Sequence, residues 1–211
     1  MNNLNQNKAH IIFVVDTSRS MAGSRFESTL EAILEIKNSI DSSMGLSLTY
    51  SLITFSNSFV VIEEHVDNIS IPISSIQTEN GLSNLHVAYS KSCEISELYK
   101  EPTWIVLVTD FGISSLSSDN CSCPHIRSKI ALNVGRNIPF NHSFNDFAVF
   151  NNTENQLNQL CKKISNELRV LASNIHYSFD EKNTEETHHG TFKERNYVFE
   201  EEDDVWNANF E

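Results

Sequence analysis

Ile11–Gly23 reads IIFVVDTSRSMAG: five apolar residues, then an aspartate, then serines at 18 and 20. A run without a polar face marks a strand covered on both sides, as in a parallel sheet. Asp16 then closes that strand at its carboxyl end, where open α/β sheets bind their ligands. Ser18 and Ser20 are two apart, so an extended loop turns both hydroxyls to one side. Two readings follow. Either Ser18 or Ser20 caps the helix starting near Ser24, or the oxygens of Asp16, Ser18 and Ser20 gather around a cation.

The rest of the chain supplies the sheet around this strand. Trp104–Val108 (WIVLV) is a second wholly apolar strand, and it too runs into an aspartate, Asp110. Strands are also expected at 46–55, 59–64, 129–134 and 146–150. Only SNS separates the first two of these, so they form an antiparallel hairpin. Helical spacing marks 24–39 (Phe26, Leu30, Ile33, Leu34, then Ile40), 84–99 (Leu85, Ala88, Tyr89, Ser92, Ile95) and 153–173 (Leu157, Leu160, Cys161, Ile164, Leu168, Leu171). Thr153 stands at the cap position of the last helix. Strands alternating with amphipathic helices predict an α/β class. The expected architecture is a Rossmann-like open sheet, mostly parallel with one antiparallel edge strand and helices on both faces. Segments 111–128 and 135–145 lack helical periodicity, which leaves one sheet face thinly covered.

Of the 211 residues, 28 are acidic and 15 basic, a net charge of −13. Asp180–Glu211 holds 11 of those acids against 3 bases, so the body is only mildly acidic. The chain divides into an N-terminal extension (1–8), one α/β domain (9–176) and an acidic C-terminal tail (177–211). Composition reads that tail as solvated. Its isolated aromatics, Phe192, Tyr197, Phe199, Trp206 and Phe210, would otherwise dock on a partner or on the domain. No basic stripe supports binding to nucleic acid or an anionic membrane, and no apolar stretch nears the roughly 20 residues that span a bilayer. Four cysteines (93, 121, 123, 161) show no disulfide framework, and reduced thiols in a cytoplasmic protein are expected. CSCPH (Cys121, Cys123, His125) is a metal-like fragment without the second Cys/His pair that a zinc site needs.

Asp16 and Asp110 end strands that can lie about 4.8 Å apart, and NGLSNL presents Ser83 just before a helix. Oxygen ligands from three loops, with neither sulfur nor imidazole, suit Mg²⁺, with Mn²⁺ or Ca²⁺ as alternatives.

These residues together resemble a von Willebrand factor A domain with a metal-ion-dependent adhesion site of the D-x-S-x-S … T … D type. The resemblance covers roughly residues 8–173. It is strongest to small bacterial cytoplasmic members similar to the tellurium-resistance-associated proteins. It implies Ser18 and Ser20 as direct metal ligands and Asp16 bound mainly through water. Ser83 stands where the family usually has Thr, in GLSNL against GGTNL, and Asp110 matches the aspartate ending the fourth strand. LVTDF departs from the usual TDG by placing Phe111 where Gly is common, so Phe111 borders the metal face. Arg19, inside the first loop, points outward.

The resemblance also implies a non-enzymatic module that binds a Glu or Asp carboxylate of a partner protein through Mg²⁺. The setting it implies is a bacterial regulatory or stress-response system, with a kinase, phosphatase or ATPase encoded nearby as partner. A scaffold acting through the tail, with a vestigial metal site, is the alternative. An Mg²⁺-dependent phosphatase is less expected, because the acid/base aspartate it needs two residues after Asp16 is Ser18. Neither G-x-x-x-x-G-K-[ST] nor G-x-G-x-x-G occurs.

Overall fold

A computed structural model describes residues 8–41, 46–69, 76–111, 123–135 and 146–184, with side chains to 173. The wholly apolar segments become the middle of a six-stranded sheet. In chain order the strands are β1 (Lys8–Asp16), β2 (Ser47–Phe55), β3 (Phe59–Val66), β4 (Thr103–Thr109), β5 (Ile126–Asn133) and β6 (Ala148–Asn151). Their spatial order is β3-β2-β1-β4-β5-β6. Every pairing is parallel except β2–β3, the expected hairpin at one edge. The α/β class and the mostly parallel open sheet therefore stand as expected.

Among the described residues three helices cover the sheet: α1 (Ser24–Asp41), α2 (Leu85–Tyr99) and α3 (Glu154–Thr184). Strand parity sorts the core between them. Ala9, Ile11, Phe13 and Val15 of β1 face α1 and α3, joined by Leu30, Ile33, Ile36, Leu160, Ile164 and Leu168. Ile12 and Val14 face α2, against Leu85, Ala88, Tyr89 and Ile95. On α1 the fully buried position is Ile36 rather than Leu34, which stays half-buried. Trp104 anchors α3 differently, its indole N–H donating to Glu167 Oε2 at 2.7 Å.

Several boundaries move. β5 starts at Ile126, inside the segment expected to be irregular, because its first half is only partly buried and lacks an apolar signature. α3 runs on to Thr184, past the expected helix end at 173. In the sequence the apolar spacing continues past Leu171 to Ile175 and Phe179, and an established helix adds a hydrogen bond per residue. Thr153 caps α3 as expected, its Oγ1 accepting from Gln156 N at 3.4 Å. The tail beyond 184, and with it the reading of 185–211, lies outside the described residues.

The expectation of four reduced thiols is corrected. Cys123 and Cys161 are free, but Cys93 on α2 is disulfide-bonded. The chain leading into β5 passes over α2, where the Cys123 thiol donates to Ser96 Oγ at 3.4 Å and to Glu97 Oε1 at 3.3 Å. A cysteine on that helix is therefore within reach of this part of the chain. A disulfide belongs to oxidising settings, which removes the reason for expecting a cytoplasmic location. Cys121 lies outside the described residues. His125 sits 3.9 Å from Glu97.

At the foot of the sheet, a polar cluster lies beneath the end of α2. His10, fully buried on β1, hydrogen-bonds Ser51 Oγ through Nε2 at 2.9 Å. His65 stacks on Tyr99 at 3.7 Å and meets Glu101 at 3.0 Å. Burial, reinforced by neighbouring His65, pushes the His10 imidazole down from 6.5 to about 3. The unfolded chain therefore takes up this proton first on acidification. The contribution of neutral His10 is fully present above pH 6.5 and is lost progressively between there and pH 3. Urea unfolding should show stability falling from pH 6.5 to 4.5 by up to about 1.4 kcal/mol per pH unit. His10→Gln should flatten that slope; an unchanged slope would acquit His10.

Candidate metal centre

Parity also decides what surrounds each aspartate. Asp16 shares the parity of Ile12 and Val14, so its carboxylate emerges on the α2 side at the crest of the sheet. It is fully buried. A carboxylate there must be hydrogen-bonded. Its Oδ1 accepts Ser18 N–H at 2.8 Å, and its Oδ2 accepts Ser83 Oγ at 2.9 Å and Thr109 Oγ1 at 2.8 Å. Three loops or strand ends thus converge on one side chain. Register explains Thr109: Val15 pairs with Val108, which brings the next residues of β1 and β4 together.

Ser18 opens a short 3₁₀ turn, Arg19–Met21, yet its side chain makes no capping bond. Its hydroxyl instead meets Ser20 Oγ at 3.2 Å. At the start of α1 the N–H groups of Phe26 and Glu27 donate to Gly23 O at 3.0 and 3.3 Å. Ser18 is buried, Ser20 and Arg19 are exposed, and Arg19 lies on the surface as expected. The loop carrying Ser83 is pinned from several sides. Glu79 N–H donates to Thr17 O at 2.7 Å, Leu82 N–H to Asn57 Oδ1 at 2.9 Å, and Asn84 N–H to Ser56 O at 2.7 Å. Ser56 Oγ also donates to the Glu79 carboxylate. Ser83 therefore owes its position to the β2–β3 turn.

Asp110 directly follows the last residue of β4, with the parity of the α1-facing side chains. It is 4% exposed. Arg25, in the first turn of α1, donates from Nη1 to Asp110 Oδ2 at 3.0 Å and to Ser20 O at 2.8 Å. Asp110 joins the other expected residues through this guanidinium and through its neighbour Thr109, whereas Asp16, Ser18, Ser20 and Ser83 are linked by direct bonds. Phe111 takes a left-handed backbone, φ 58°, a conformation costing a non-glycine residue roughly 1–2 kcal/mol. Its N–H donates to Thr109 Oγ1 at 3.2 Å, and its ring packs on the α2-side core. The conformation accounts for glycine being usual at this position in the family the chain resembles.

Thr109, Arg25 and Glu79 are the residues that reading the sequence missed. Thr109 was visible as the hydroxyl directly before Asp110, in register with Asp16. Arg25 and Glu79 carried no local signal. The donor set is oxygen throughout: two carboxylates and three hydroxyls, the chemistry of a hard cation. Among the described residues there is no group of three or more His, Cys, Asp or Glu that could hold a metal. A cation here would therefore depend on the serine hydroxyls. Ser83 suits that task, since giving its proton to Asp16 leaves its lone pairs free.

No family model and no curated protein matches this chain. Solved structures do. The PilB minor pilin from Streptococcus sanguinis aligns with TM-score 0.55 and 13% identity, over 80% of this chain and 63% of that one. Proximal thread matrix protein 1 from the mussel byssus aligns with TM-score 0.50 and 14% identity, over 75% and 45%. The ArnB paralog VWA2 from Sulfolobus acidocaldarius aligns with TM-score 0.49 and 19% identity, over 72% and 43%. The chain spans less than two thirds of each of these proteins, and the likeness is one of fold.

Gly135 abuts the site, because a Cβ there would lie 2.8 Å from Asp110 O and 2.9 Å from Asp110 Cβ. Gly135→Ala must displace Asp110. Thermal and urea unfolding should show a loss of about 1–3 kcal/mol; unchanged stability would mean that this corner is slack.

Proposed function

We propose that the crest of the sheet is a divalent-cation site and that the protein is a binding module that recruits an acidic side chain of a partner protein. The observation that carries this is the buried Asp16 carboxylate, which gathers Ser18, Ser83 and Thr109 at the carboxyl end of the central strand. Such a charge, sealed from water yet adjoining exposed Ser20, suits a ligand that arrives positively charged. Ser18, Ser20 and Ser83 would hold the cation by their hydroxyls, and Asp16 and Asp110 would supply the negative charge. Mg²⁺ is the cation of choice, with Mn²⁺ or Ca²⁺ as substitutes. When bound, the ion supplies a positive charge that neutral hydroxyls do not cancel, and an oxygen of a partner's Glu or Asp completes its shell.

The reading is non-enzymatic. Ser18 occupies the place of the acid/base carboxylate that an aspartate-based phosphatase requires. The surroundings suit docking instead. Leu82, next to Ser83, is 78% exposed, and Phe59 and Val60 at the start of β3 are also exposed. Among the described residues no helix is long and apolar enough to cross a membrane. The regulatory or stress-response role, and a kinase, phosphatase or ATPase as partner, rest on the resemblance alone.

Titration calorimetry with Mg²⁺ and Mn²⁺ tests the site directly. The full-length chain should take up one ion, and Asp16→Ala should take up none. Affinity capture of partners should then need Mg²⁺ and fail in EDTA and with Asp16→Ala. Capture indifferent to both would overturn the proposal.

A further inference from the structure

Arg25 is out of place for a helix. A cation in the first turn opposes the helix dipole, which favours negative charge at that end. Its two bonds explain it: one nitrogen donates to Ser20 O and to the buried carboxylate of Asp110. The side chain itself is 37% exposed, so it can leave by rotation without opening the core. Asp16 and Asp110 bring two negative charges to the crest, and Arg25 cancels one of them.

We propose that Arg25 is the resident counter-charge of this site, competing with a divalent cation for Asp110 and so setting the affinity for metal. The inference rests on the crest being a cation site and adds who holds Asp110 when no metal does. Charge balance gives the consequence. With both carboxylates ionised, a divalent cation leaves the site neutral if Arg25 is absent and at +1 if it is present. Arg25 therefore weakens metal uptake by the free protein. In the loaded site it adds to the positive charge that a partner's carboxylate meets, and the guanidinium released from Asp110 presents the donors that a carboxylate accepts.

Mn²⁺ titration of the full-length wild type, Arg25→Gln, Arg25→Met and Arg25→Lys separates the possibilities, with folding checked by circular dichroism. Both neutral variants should bind Mn²⁺ at least threefold more tightly than wild type, and Arg25→Lys should stay within twofold of it. If one neutral variant fails to fold, the other is read alone. Wild type and neutral variants binding equally, or the neutral variants binding more weakly, would overturn the role of Arg25 and leave the cation site standing. Mn²⁺ uptake by neither wild type nor the neutral variants would remove the cation site and this inference with it.

Discussion

A single buried carboxylate organises the crest of this protein. Asp16 is fully shielded from water, and three donors from separate parts of the chain converge on it and take the place of the lost water. Those donors are the residue-18 amide, the hydroxyl before α2 and the hydroxyl ending β4. Each is fixed by a different piece of the sheet. Satisfying Asp16 thus requires β1, β4 and the loop entering α2 to be correctly placed together. The same arrangement that leaves no oxygen of Asp16 unpaired also brings the hydroxyls of Ser83 and Thr109 together at the crest.

The two aspartates are not equivalent, although the sequence presents them alike at the ends of apolar strands. Period-two parity sends Asp16 to the α2 side, where hydroxyls surround it, and Asp110 to the α1 side, where a guanidinium waits. Hydroxyls hold a carboxylate while leaving its charge intact; an arginine neutralises it. The crest therefore has one carboxylate held by neutral donors and one paired with a guanidinium.

The Phe111 backbone, the pinned loop at 79–84 and Gly135 against Asp110 show what holding this geometry costs. Phe111 keeps a left-handed conformation that glycine would adopt freely, and its ring, packed on the α2-side core, offsets part of that cost. Gly135 lets Asp110 approach more closely than any Cβ would allow. Strain and close approach of this kind persist where the surroundings over-determine a position, and here they cluster within a few residues of Asp110.

The sequence by itself determined the sheet, and it supplied the residues expected at the crest. Unbroken apolar runs are read as central strands because a parallel strand has no polar face. Clean stripes such as Leu157 to Leu168 are read as helices because the 3.6 period has no other use. Asp16, Ser18, Ser20, Ser83 and Asp110 follow from hydroxyls and carboxylates placed after such strands. The tertiary structure alone decided how they meet. Thr109 reaches Asp16 only through the register of β1 with β4, Arg25 reaches Asp110 only because α1 starts beside the end of β4, and Glu79 acts through the turn of a hairpin. The length of α3 and the Cys93 disulfide escaped as well. Thiol pairing depends on neighbours in space, and helix propagation on local hydrogen bonds that carry on without a tertiary contact.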